Sequence, residues 1–359
     1  MPPARTGVAD YGMDMVEALR QAGIEVNVNG SGDVDLYHIG NNPLHRGIHD
    51  RALARPGVVV IHDAVLHHFY LGFGDERRYV DEFVYNYGEW HRHLAQRLWR
   101  NRSQSGSDPA YFAYPMLKRI AESAQTVIVH NPGAAAIVRA HAPSARIAEL
   151  PHLLTTPPPA DPYAVLALRA QWNLPAGAFL FGVFGHLRES KRLSTVLAAA
   201  RRAGAFLLVA GDFVSNDYAR TMEAEFRSAS RIIRVPFLAE RDFWTHAHAV
   251  DACINLRYPT AGETSGIAIR LMGIGKPVIV SAGPETSRYP DETCLRVDKG
   301  VAEEEMLAAY MLWLQETPAA AKRLGECGRA HVREGHAADG VAGRLAALLR
   351  GLLHGRFGV

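Results

Sequence analysis

The residues best suited to chemistry follow apolar segments in the second half of the chain. Phe181–Lys191 is predicted to run from a strand into a turn at Gly185 and then to open a helix. Glycine lets the backbone approach a ligand closely, and a helix N-terminus with the cations of Arg188 and Lys191 suits a diphosphate. Only five of the 39 Lys and Arg residues are lysines, so Lys191 departs from the composition of the chain. An ordinary loop with a solvated charged face is the alternative interpretation.

A second loop carries one carboxylate between a predicted strand and a predicted helix. Glu263 stands in Leu256–Gly266, a segment rich in Pro, Gly and Thr, and either Thr264 or Ser265 suits the N-cap of the helix. Glu263 could contact a ligand. It could also only complement the helix dipole, an effect of about 0.3–1 kcal/mol.

Histidines follow strands in the first half of the chain. His38 and His45 flank a Gly-Asn-Asn turn, and His62-Asp63 ends the strand predicted at 57–62. Imidazoles and carboxylates bind zinc or iron, but these spacings form no closed ligand set such as two histidines at i and i+4 on one helix. No Asp-x-Asp motif follows a strand to carry a divalent ion, so no metal site is predicted.

Short apolar strands alternate with helices along the whole chain, which indicates parallel βα units. The predicted strands are 24–28, 35–39, 57–62, 126–130, 179–184, 205–210, 231–235, 251–255 and 277–281. The predicted helical segments are 7–22, 66–101, 110–123, 132–141, 191–203, 216–228, 240–247, 265–274, 301–315, 318–333 and 338–353. The Pro-dense segment 155–162 reads as a stiff linker between two doubly wound α/β domains.

Composition is consistent with that organisation and excludes several classes of protein. The chain has 359 residues, of which 48% are apolar, enough for two cores. A net charge of +2 predicts no strongly basic nucleic-acid surface. Two doubly wound domains leave a cleft at the carboxyl ends of their strands, where ligands bind.

Five segments resemble motifs of one known family. Glu263-Thr-Ser-Gly, the helix after it and Gly275–Ser281 resemble the donor-site signature of retaining glycosyltransferase family 4, the glycosyl transferases group 1. Gly185–Lys191 resembles the diphosphate loop of that family, and Gly7–Tyr11 its first glycine-containing loop. Val58–Asp63 resembles the strand that ends at an acceptor-side histidine. These segments occur in the right order through nearly the whole chain.

The resemblance implies the GT-B fold, in which two Rossmann-like doubly wound domains face each other across a cleft. We expect an acceptor-side domain at 1–156, a nucleotide-sugar donor domain at 163–337 and a terminal helix at 338–359 that packs back on the first domain. Family members begin with a strand before the first glycine loop, whereas Met1 already stands in that loop. The first strand is therefore expected to be missing, with residues 2–7 forming a loop at the cleft.

Roles for individual residues follow from the resemblance. The implied catalytic residues are Glu263, Lys191 and His62. The implied donor-binding residues are Gly185, Arg188, Lys191, Glu263, Thr264, Ser265, Gly266 and Arg270. The implied acceptor-side residues are Gly7, Tyr11, His62 and Asp63. In the family, the matching Lys and Arg neutralise the donor phosphates, the Glu contacts the donor sugar or phosphate, and the His lies beside the donor sugar.

One position departs from the family pattern. The family usually has a second Glu, which contacts the ribose, after seven intervening residues, whereas here Arg270 follows Glu263 after six. Seven residues at about 100° each return Arg270 almost to the helix face of Glu263. Arg270 could therefore reach part of a sugar nucleotide, or it could form an ion pair at the surface.

The implied function is transfer of a sugar from a nucleoside diphosphate donor to a glycan, glycolipid or other hydroxyl acceptor, as in polysaccharide biosynthesis, with retention of anomeric configuration. No cofactor besides the nucleotide-sugar substrate and no nucleic acid partner are expected. The alternative is a non-catalytic sugar-nucleotide-binding or glycan-binding protein, which the missing second Glu favours and Lys191 and Glu263 oppose. An epimerase or phosphorylase is less favoured, because no lysine stands where pyridoxal would be expected.

Two segments leave alternatives open, and the cysteine pattern bears on location. The aromatic residues of 69–115 either stack on an acceptor sugar or pack a long helical pair, and packing is favoured. The basic amphipathic segment 344–356 either lies on anionic lipid or packs on the first domain, and packing is again favoured.

Three cysteines without a CxxC pair and apolar runs far below the roughly 18 residues of a membrane span predict a cytoplasmic protein, with peripheral membrane contact left open.

Overall fold

The computed structural model describes residues 7–227, 229 and 231–354. The chain divides into two compact units. The described part of unit 1 falls within Met1–Thr155, Pro259–Thr264 and Gly335–Val359, and that of unit 2 within Thr156–Tyr258 and Ser265–Glu334. The short segment Pro259–Thr264 thus belongs to unit 1 by its contacts, although the residues before and after it belong to unit 2.

The helices and strands of the described residues alternate through both units. The helices are α1 (Gly7–Gln21), α2 (Arg46–Ala54), α3 (His67–Leu71), α4 (Glu76–Tyr87), α5 (Arg92–Arg100), α6 (Lys118–Ser123), α7 (Pro132–His141), α8 (Pro162–Gln171), α9 (Leu193–Arg202), α10 (Asn216–Arg227), α11 (Glu240–Ala249), α12 (Gly266–Gly273), α13 (Glu303–Glu316), α14 (Pro318–Gly335) and α15 (Ala338–Leu353). The strands are β1 (Leu36–Ile39), β2 (Val58–Ile61), β3 (Thr126–Val129), β4 (Ile147–Glu149), β5 (Leu180–Phe184), β6 (Phe206–Ala210), β7 (Ile232–Val235), β8 (Ala252–Asn255), β9 (Val278–Ser281) and β10 (Leu295–Val297).

The sheet of unit 1 is parallel, and its four strands lie in chain order from β1 to β4. Its central strands β2 and β3 are buried along their whole length, because helices cover both faces. Alternate side chains enter different cores. Val59 and Ile61 pack with helices α2 to α7, whereas Val58 and Val60 pack against α1 and α15.

Helix α15 completes the second of these cores. Its apolar residues Val341 and Leu345 pack in one cluster with Met15 and Leu19 of α1. The expected helix at 338–353 is therefore present and packs on the first part of the chain. The terminal residues 355–359 lie outside the described residues.

The sheet of unit 2 is parallel and has the strand order β10-β9-β8-β5-β6-β7. The chain passes from β5 to β6 and β7 on one side, then returns to β8 beside β5 and continues to β9 and β10. This reversal between β5 and β8 defines a doubly wound sheet with a topological switch point.

Several predicted elements are wrong in place or extent. No strand forms at 24–28, because β1 pairs only with β2 among the described strands, and Ile24 and Val26 instead pack as loop residues on the core of α1 and α15. Glycines at positive φ break the helical region 66–101 into three helices, at Gly74 and Gly88. The expected loop at 2–7 lies outside the described residues apart from Gly7, which begins α1.

Packing accounts for most aromatic residues in 69–115. The rings of Tyr70, Tyr79, Phe83 and Trp99 are buried in one core cluster of unit 1. Trp90 and Tyr85 are exposed, with 98% and 41% of their surfaces accessible. The favoured interpretation of this segment as helix packing therefore holds for those four rings.

Candidate active site

The two predicted donor motifs follow the strands that flank the switch point of unit 2. Gly185 comes directly after β5, and the segment after β8 leads to Ser265 at the start of α12. The amide of Tyr258 donates to the Ser190 carbonyl at 2.8 Å and so ties the segment after β8 to the loop after β5. Open parallel sheets bind ligands at such a switch point.

Backbone geometry holds the Gly185 loop close to the end of β6. Gly185 has φ +87°, and its amide donates to the Ala210 carbonyl at 3.0 Å. A Cβ at Gly211 would overlap the Gly185 carbonyl oxygen, so the second glycine permits this close approach. The loop therefore requires glycine at both positions, as expected for a backbone that must approach a ligand.

Lys191 lies under this loop rather than at the first turn of a long helix. It ends a short 3-10 turn, Glu189–Lys191, and α9 begins two residues later at Leu193. Its side chain is only 4% exposed, and Nζ donates to the Phe184 carbonyl at 2.5 Å. An ideal Cβ on Gly185 would lie 3.8 Å from Nζ, which places the ammonium directly beneath the glycine backbone.

The neighbouring cations differ in their partners. Arg188 precedes the 3-10 turn and is exposed. Arg192 adopts a left-handed conformation with φ +58° and binds the buried carboxylate of Glu303 at 2.6 Å. Arg192 is thus paired with a buried carboxylate, whereas the Lys191 ammonium contacts a backbone carbonyl and Arg188 is exposed.

Arg270 forms an ion pair, which is one of the two possibilities that the sequence left open for it. Its guanidinium lies 2.7 Å from the Glu240 carboxylate and about 5 Å from the ring centres of Phe243 and Trp244. All four residues belong to unit 2. The Glu240 side chain is 58% exposed, so Arg270 can exchange this partner for a ligand at modest cost.

The helix after the Glu263 loop begins with the capping pattern that the sequence indicated. Ser265, rather than Thr264, caps α12, because its hydroxyl accepts from the Ala268 amide at 3.3 Å. Gly266 is the first residue of the helix. The Thr264 hydroxyl instead accepts a hydrogen bond from the Asn131 side chain at 2.9 Å.

Glu263 is folded back onto its own loop within unit 1. Its Oε2 accepts from the Ala261 amide at 2.8 Å and from the Thr260 hydroxyl at 3.2 Å. The Gly262 amide donates in turn to the Thr260 hydroxyl at 3.0 Å. The carboxylate therefore has a defined orientation before any ligand is bound.

His62 belongs to a row of histidines at the carboxyl edge of the unit 1 sheet. Each of the four strands supplies one ring at or just beyond its end: His38, His62, His130 and His152. All four rings surround the buried phenol of Tyr11, with ring centres 4.7–5.6 Å from it. We call these five residues the histidine row.

Hydrogen bonds fix the rings of this row. His38 Nδ1 and His62 Nε2 lie 3.0 Å apart, so one ring donates to the other. His130 Nδ1 donates to the Leu150 carbonyl at 3.0 Å, which leaves Nε2 as the acceptor nitrogen of the neutral ring. That Nε2 is buried and has no hydrogen-bond partner among the described residues.

Burial keeps His38, His62 and His130 of the row uncharged at neutral pH. It lowers the pKa of His38 to about 3 and that of His130 to about 4, with repulsion between the histidines adding to the effect on His38. The pKa of His62 is lowered well below its ordinary value for the same two reasons. Burial also raises the pKa of the Tyr11 phenol.

The other predicted acceptor-side residues have different surroundings. Asp63 Oδ2 accepts from the Asn41 amide at 2.7 Å and so fixes the turn after β1. Gly7 is exposed at the start of α1, away from any atom that a Cβ would contact. Thus Tyr11 and His62 are brought together, Asp63 follows His62 in the chain, and Gly7 lies one helical turn before Tyr11.

Within residues 7–227, 229 and 231–354, no group of three or more His, Cys, Asp or Glu side chains is arranged to hold a metal ion. Over the same residues, none of the helices combines the length and the apolar character needed to cross a bilayer.

The strand order and the glycine loop identify the fold. Two parallel α/β units, the second with a switch point beside a glycine loop, form the GT-B fold, which confirms the fold expected from the resemblance. No protein-family model matches the sequence. No curated protein matches it by sequence either.

Solved structures with this fold are similar over most of the chain. Sucrose-phosphate synthase from Thermosynechococcus elongatus has 21% identity and a TM-score of 0.65, over 89% of this chain and 74% of that one. HepE of Anabaena in complex with UDP-glucose has 15% identity and a TM-score of 0.63, over 97% and 96%. WaaG, described as a glycosyltransferase involved in lipopolysaccharide biosynthesis, has 12% identity and a TM-score of 0.59, over 95% of both chains.

Sequence reasoning missed three residues of these sites. His130 and His152 join the histidine row, and Asn131 contacts the loop of Glu263. A signal was present, because His130 ends a predicted strand and Asn131 follows it, as His62 and Asp63 do. Their meeting depends on strand order, which the sequence pattern alone does not provide.

Proposed function

We propose that the protein is a glycosyltransferase that moves a sugar from a nucleoside diphosphate donor to a hydroxyl group of a glycan, glycolipid or other acceptor. The observation that carries the proposal is the pairing of the Gly185 loop with buried Lys191 at the switch point of unit 2. Burial of an ammonium beneath a glycine backbone suits an anionic ligand, because the backbone can approach and the charge is poorly screened. The similar solved structures include complexes with UDP and with UDP-glucose, which supports a uridine nucleotide as the first donor to test.

In the proposed reaction, the residues of unit 2 act on the leaving group. Lys191 and Arg188 stabilise the diphosphate as the bond between its oxygen and the anomeric carbon of the sugar breaks. Thr264, Ser265 and Gly266 precede or begin α12 and belong to the proposed donor-binding set. The exchangeable ion pair of Arg270 supports its place in that set as a contact to the nucleotide.

Glu263 and His62 are proposed to act on the sugar. Glu263 orients the donor sugar through its preset carboxylate, and neutral His62 contacts the sugar near the incoming hydroxyl, with Tyr11 packed behind it and Asp63 beside it. We favour attack from the face that the diphosphate leaves, with the acceptor proton passing to the departing phosphate. This route retains the anomeric configuration, in agreement with the resemblance to glycosyltransferase family 4. It uses no cofactor.

A non-catalytic nucleotide-sugar-binding protein is the second candidate. The missing second Glu favours it, because the family uses that carboxylate for the ribose and the nearby Arg270 is paired with Glu240 instead. Such a protein would bind UDP-glucose without breaking the bond to the sugar.

The test compares binding with turnover. Thermal shifts with a panel of nucleoside diphosphates identify the base, since a ligand at 100 times its Kd stabilises the fold by about 2.7 kcal/mol. Release of UDP from UDP-glucose is then measured, alone and with glycan or glycolipid acceptors, and proton NMR gives the anomeric configuration of the product. Binding without release under any of these conditions would support the non-catalytic protein instead.

A further inference from the structure

One buried amide side chain in unit 1 joins a helix start to the loop of Glu263. Asn131 directly follows β3 and is 4% exposed. Its Oδ1 accepts from the Ala134 amide at 2.8 Å and caps α7. Its Nδ2 donates to the Gly262 carbonyl and to the Thr264 hydroxyl, both at 2.9 Å.

The two halves of this side chain have separate tasks. Because the cap needs the oxygen to face α7, the amide nitrogen must face the loop. Both of its N–H groups are used there, one on each neighbour of Glu263 in the chain. Asn131 therefore holds the backbone of Gly262 and the side chain of Thr264, the two neighbours of Glu263 in the chain.

Two other contacts hold the same loop against the rest of unit 1. The Val65 amide donates to the Ala261 carbonyl at 3.0 Å. Gly262 has φ +74°, and a Cβ there would lie 3.0 Å from side-chain carbons of Ala64 and Ile137. The loop is thus close-packed at Gly262, and the Asn131 side chain adds two hydrogen bonds between the loop and the rest of unit 1.

We propose that Asn131 is the positioning residue for Glu263. It fixes Gly262 and Thr264, and this sets the direction of the Glu263 carboxylate that the Ala261 amide and the Thr260 hydroxyl then orient. The inference rests on the proposed function, in which Glu263 contacts the donor sugar. Reacting groups must be held to within about 0.5 Å of their productive positions, so a loosened loop lowers turnover more than nucleotide binding.

The variant Asn131→Asp separates the two tasks of the side chain. Aspartate caps helices as well as asparagine, so α7 keeps its N-cap. The replaced nitrogen becomes an oxygen that faces the Gly262 carbonyl and can donate nothing to it. Thr264→Val removes only the second contact and gives an intermediate case.

Asn42→Asp is the matched control. Asn42 also precedes a proline, and its Oδ1 accepts from the Leu44 amide at 2.9 Å to cap the short turn Pro43–His45. It is exposed and belongs to none of the proposed sites. The same chemical change is therefore made at a cap that holds no loop.

Hydrogen exchange tests the positioning independently of activity. In Asn131→Asp we expect amides of 260–264 to exchange about tenfold faster or more, because the hydrogen bond to the Gly262 carbonyl is replaced by an unfavourable contact between two oxygens, while those of 134–141 in α7 stay protected. Asn42→Asp should leave both segments unchanged. Unchanged exchange at 260–264, or equal loss of protection in α7, would overturn the inference.

Kinetics then tests the role in the reaction. With UDP-glucose, Asn131→Asp should lower kcat for UDP release by tenfold or more and leave the affinity for UDP within about twofold, because UDP lacks the sugar. If Glu263→Gln lowers kcat but Asn131→Asp does not, the positioning role is wrong and the proposed function stands. If Glu263→Gln has no effect, the proposed function itself fails, whatever the exchange data show.

Discussion

The carboxyl edges of the two sheets carry opposite chemistry on the same parallel architecture. At the edge of unit 2 a glycine loop covers the buried ammonium of Lys191, with Arg188 exposed beside it. At the edge of unit 1 three strands contribute the buried, neutral imidazoles of His38, His62 and His130. A cationic edge suits a diphosphate and an uncharged edge suits a sugar hydroxyl. The residues that follow the strands, rather than the fold, therefore distinguish the two edges.

Glu263→Gln should show the largest effect, because it removes the negative charge that is proposed to orient the donor sugar. Glutamine keeps the size of the side chain and an oxygen that accepts from the Ala261 amide, so the loop should remain folded. We expect kcat for UDP release from UDP-glucose to fall by about 10²–10³-fold, the usual scale for one electrostatic contact. UDP affinity should change little. The control is Glu122→Gln at an exposed position of α6, and near-full activity of Glu263→Gln would remove Glu263 from the site.

Lys191→Ala tests the cationic edge. Loss of a charge-assisted contact worth about 1.5–3 kcal/mol should weaken UDP binding by about ten- to hundredfold, measured by calorimetry, and should lower turnover as well. Lys322→Ala is the matched control in unit 2, since the Lys322 side chain is 78% exposed on α14. Equal UDP affinities for the two variants would show that this edge does not bind the diphosphate. Melting temperatures identify any loss of folding.

Lowering the pH should destabilise the protein through the histidine row at the edge of the unit 1 sheet. Burial lowers the folded-state pKa of His38 to about 3 and of His130 to about 4, whereas unfolded histidine titrates near 6.5. Below about pH 6.5 the unfolded chain therefore binds more protons, and stability falls as the pH falls towards 4. Each such histidine contributes up to about 1.4 kcal/mol per pH unit.

Urea unfolding at pH 7.5, 6.0 and 5.0 measures this loss of stability. In His130→Gln the decrease between pH 6.0 and 5.0 should be smaller than in the wild type, because one buried imidazole no longer has to remain uncharged. The exposed His93 provides the control as His93→Gln, which should keep the wild-type pH dependence. If the free energy of unfolding falls equally between pH 6.0 and 5.0 in all three proteins, the low pKa of His130 is wrong.

Arg270→Ala should give the smallest effect, a severalfold weaker affinity for UDP. Glu240→Gln is its companion, because it breaks the same ion pair and keeps the cation. If Arg270 serves the nucleotide, the Glu240 variant retains full affinity for UDP. If both variants lower the melting temperature alike and neither changes UDP affinity, Arg270 is part of the α11–α12 packing only.

The sequence predicted the repeating architecture well because its strands are short, apolar and regularly separated by helices. The strand at 58–61 and the helix at 338–353 lie where periodicity placed them. Three-residue strands such as β4 and β10 carry too little pattern to be recognised. Residues 24–28 show the opposite error, since their apolar alternation is satisfied by packing without a strand partner.

The sequence predicted the parts of the sites that depend on neighbouring residues better than the parts that depend on residues far apart in the chain. The Gly185 loop and the capping of α12 by Ser265 depend on neighbours in the chain, and local spacing indicated both. The contact between Asn131 and Thr264 joins residues 133 positions apart, and the histidine row depends on strand order. Such contacts arise from tertiary packing, so the hold of Asn131 on the loop could not be predicted from the sequence.

The packing of α15 on α1 has a consequence for how the chain is made. A ribosome delivers α1 first and α15 last, with the whole of unit 2 between them. Until Leu345 and its neighbours emerge, Met15 and Leu19 lack part of the apolar surface that buries them in the finished protein. Domains usually complete folding in the order of synthesis, whereas here unit 2 is expected to close before unit 1 is complete. Nascent chains stalled before residue 338 should therefore expose the apolar face of α1 to chaperones, and release of the full chain should abolish that exposure.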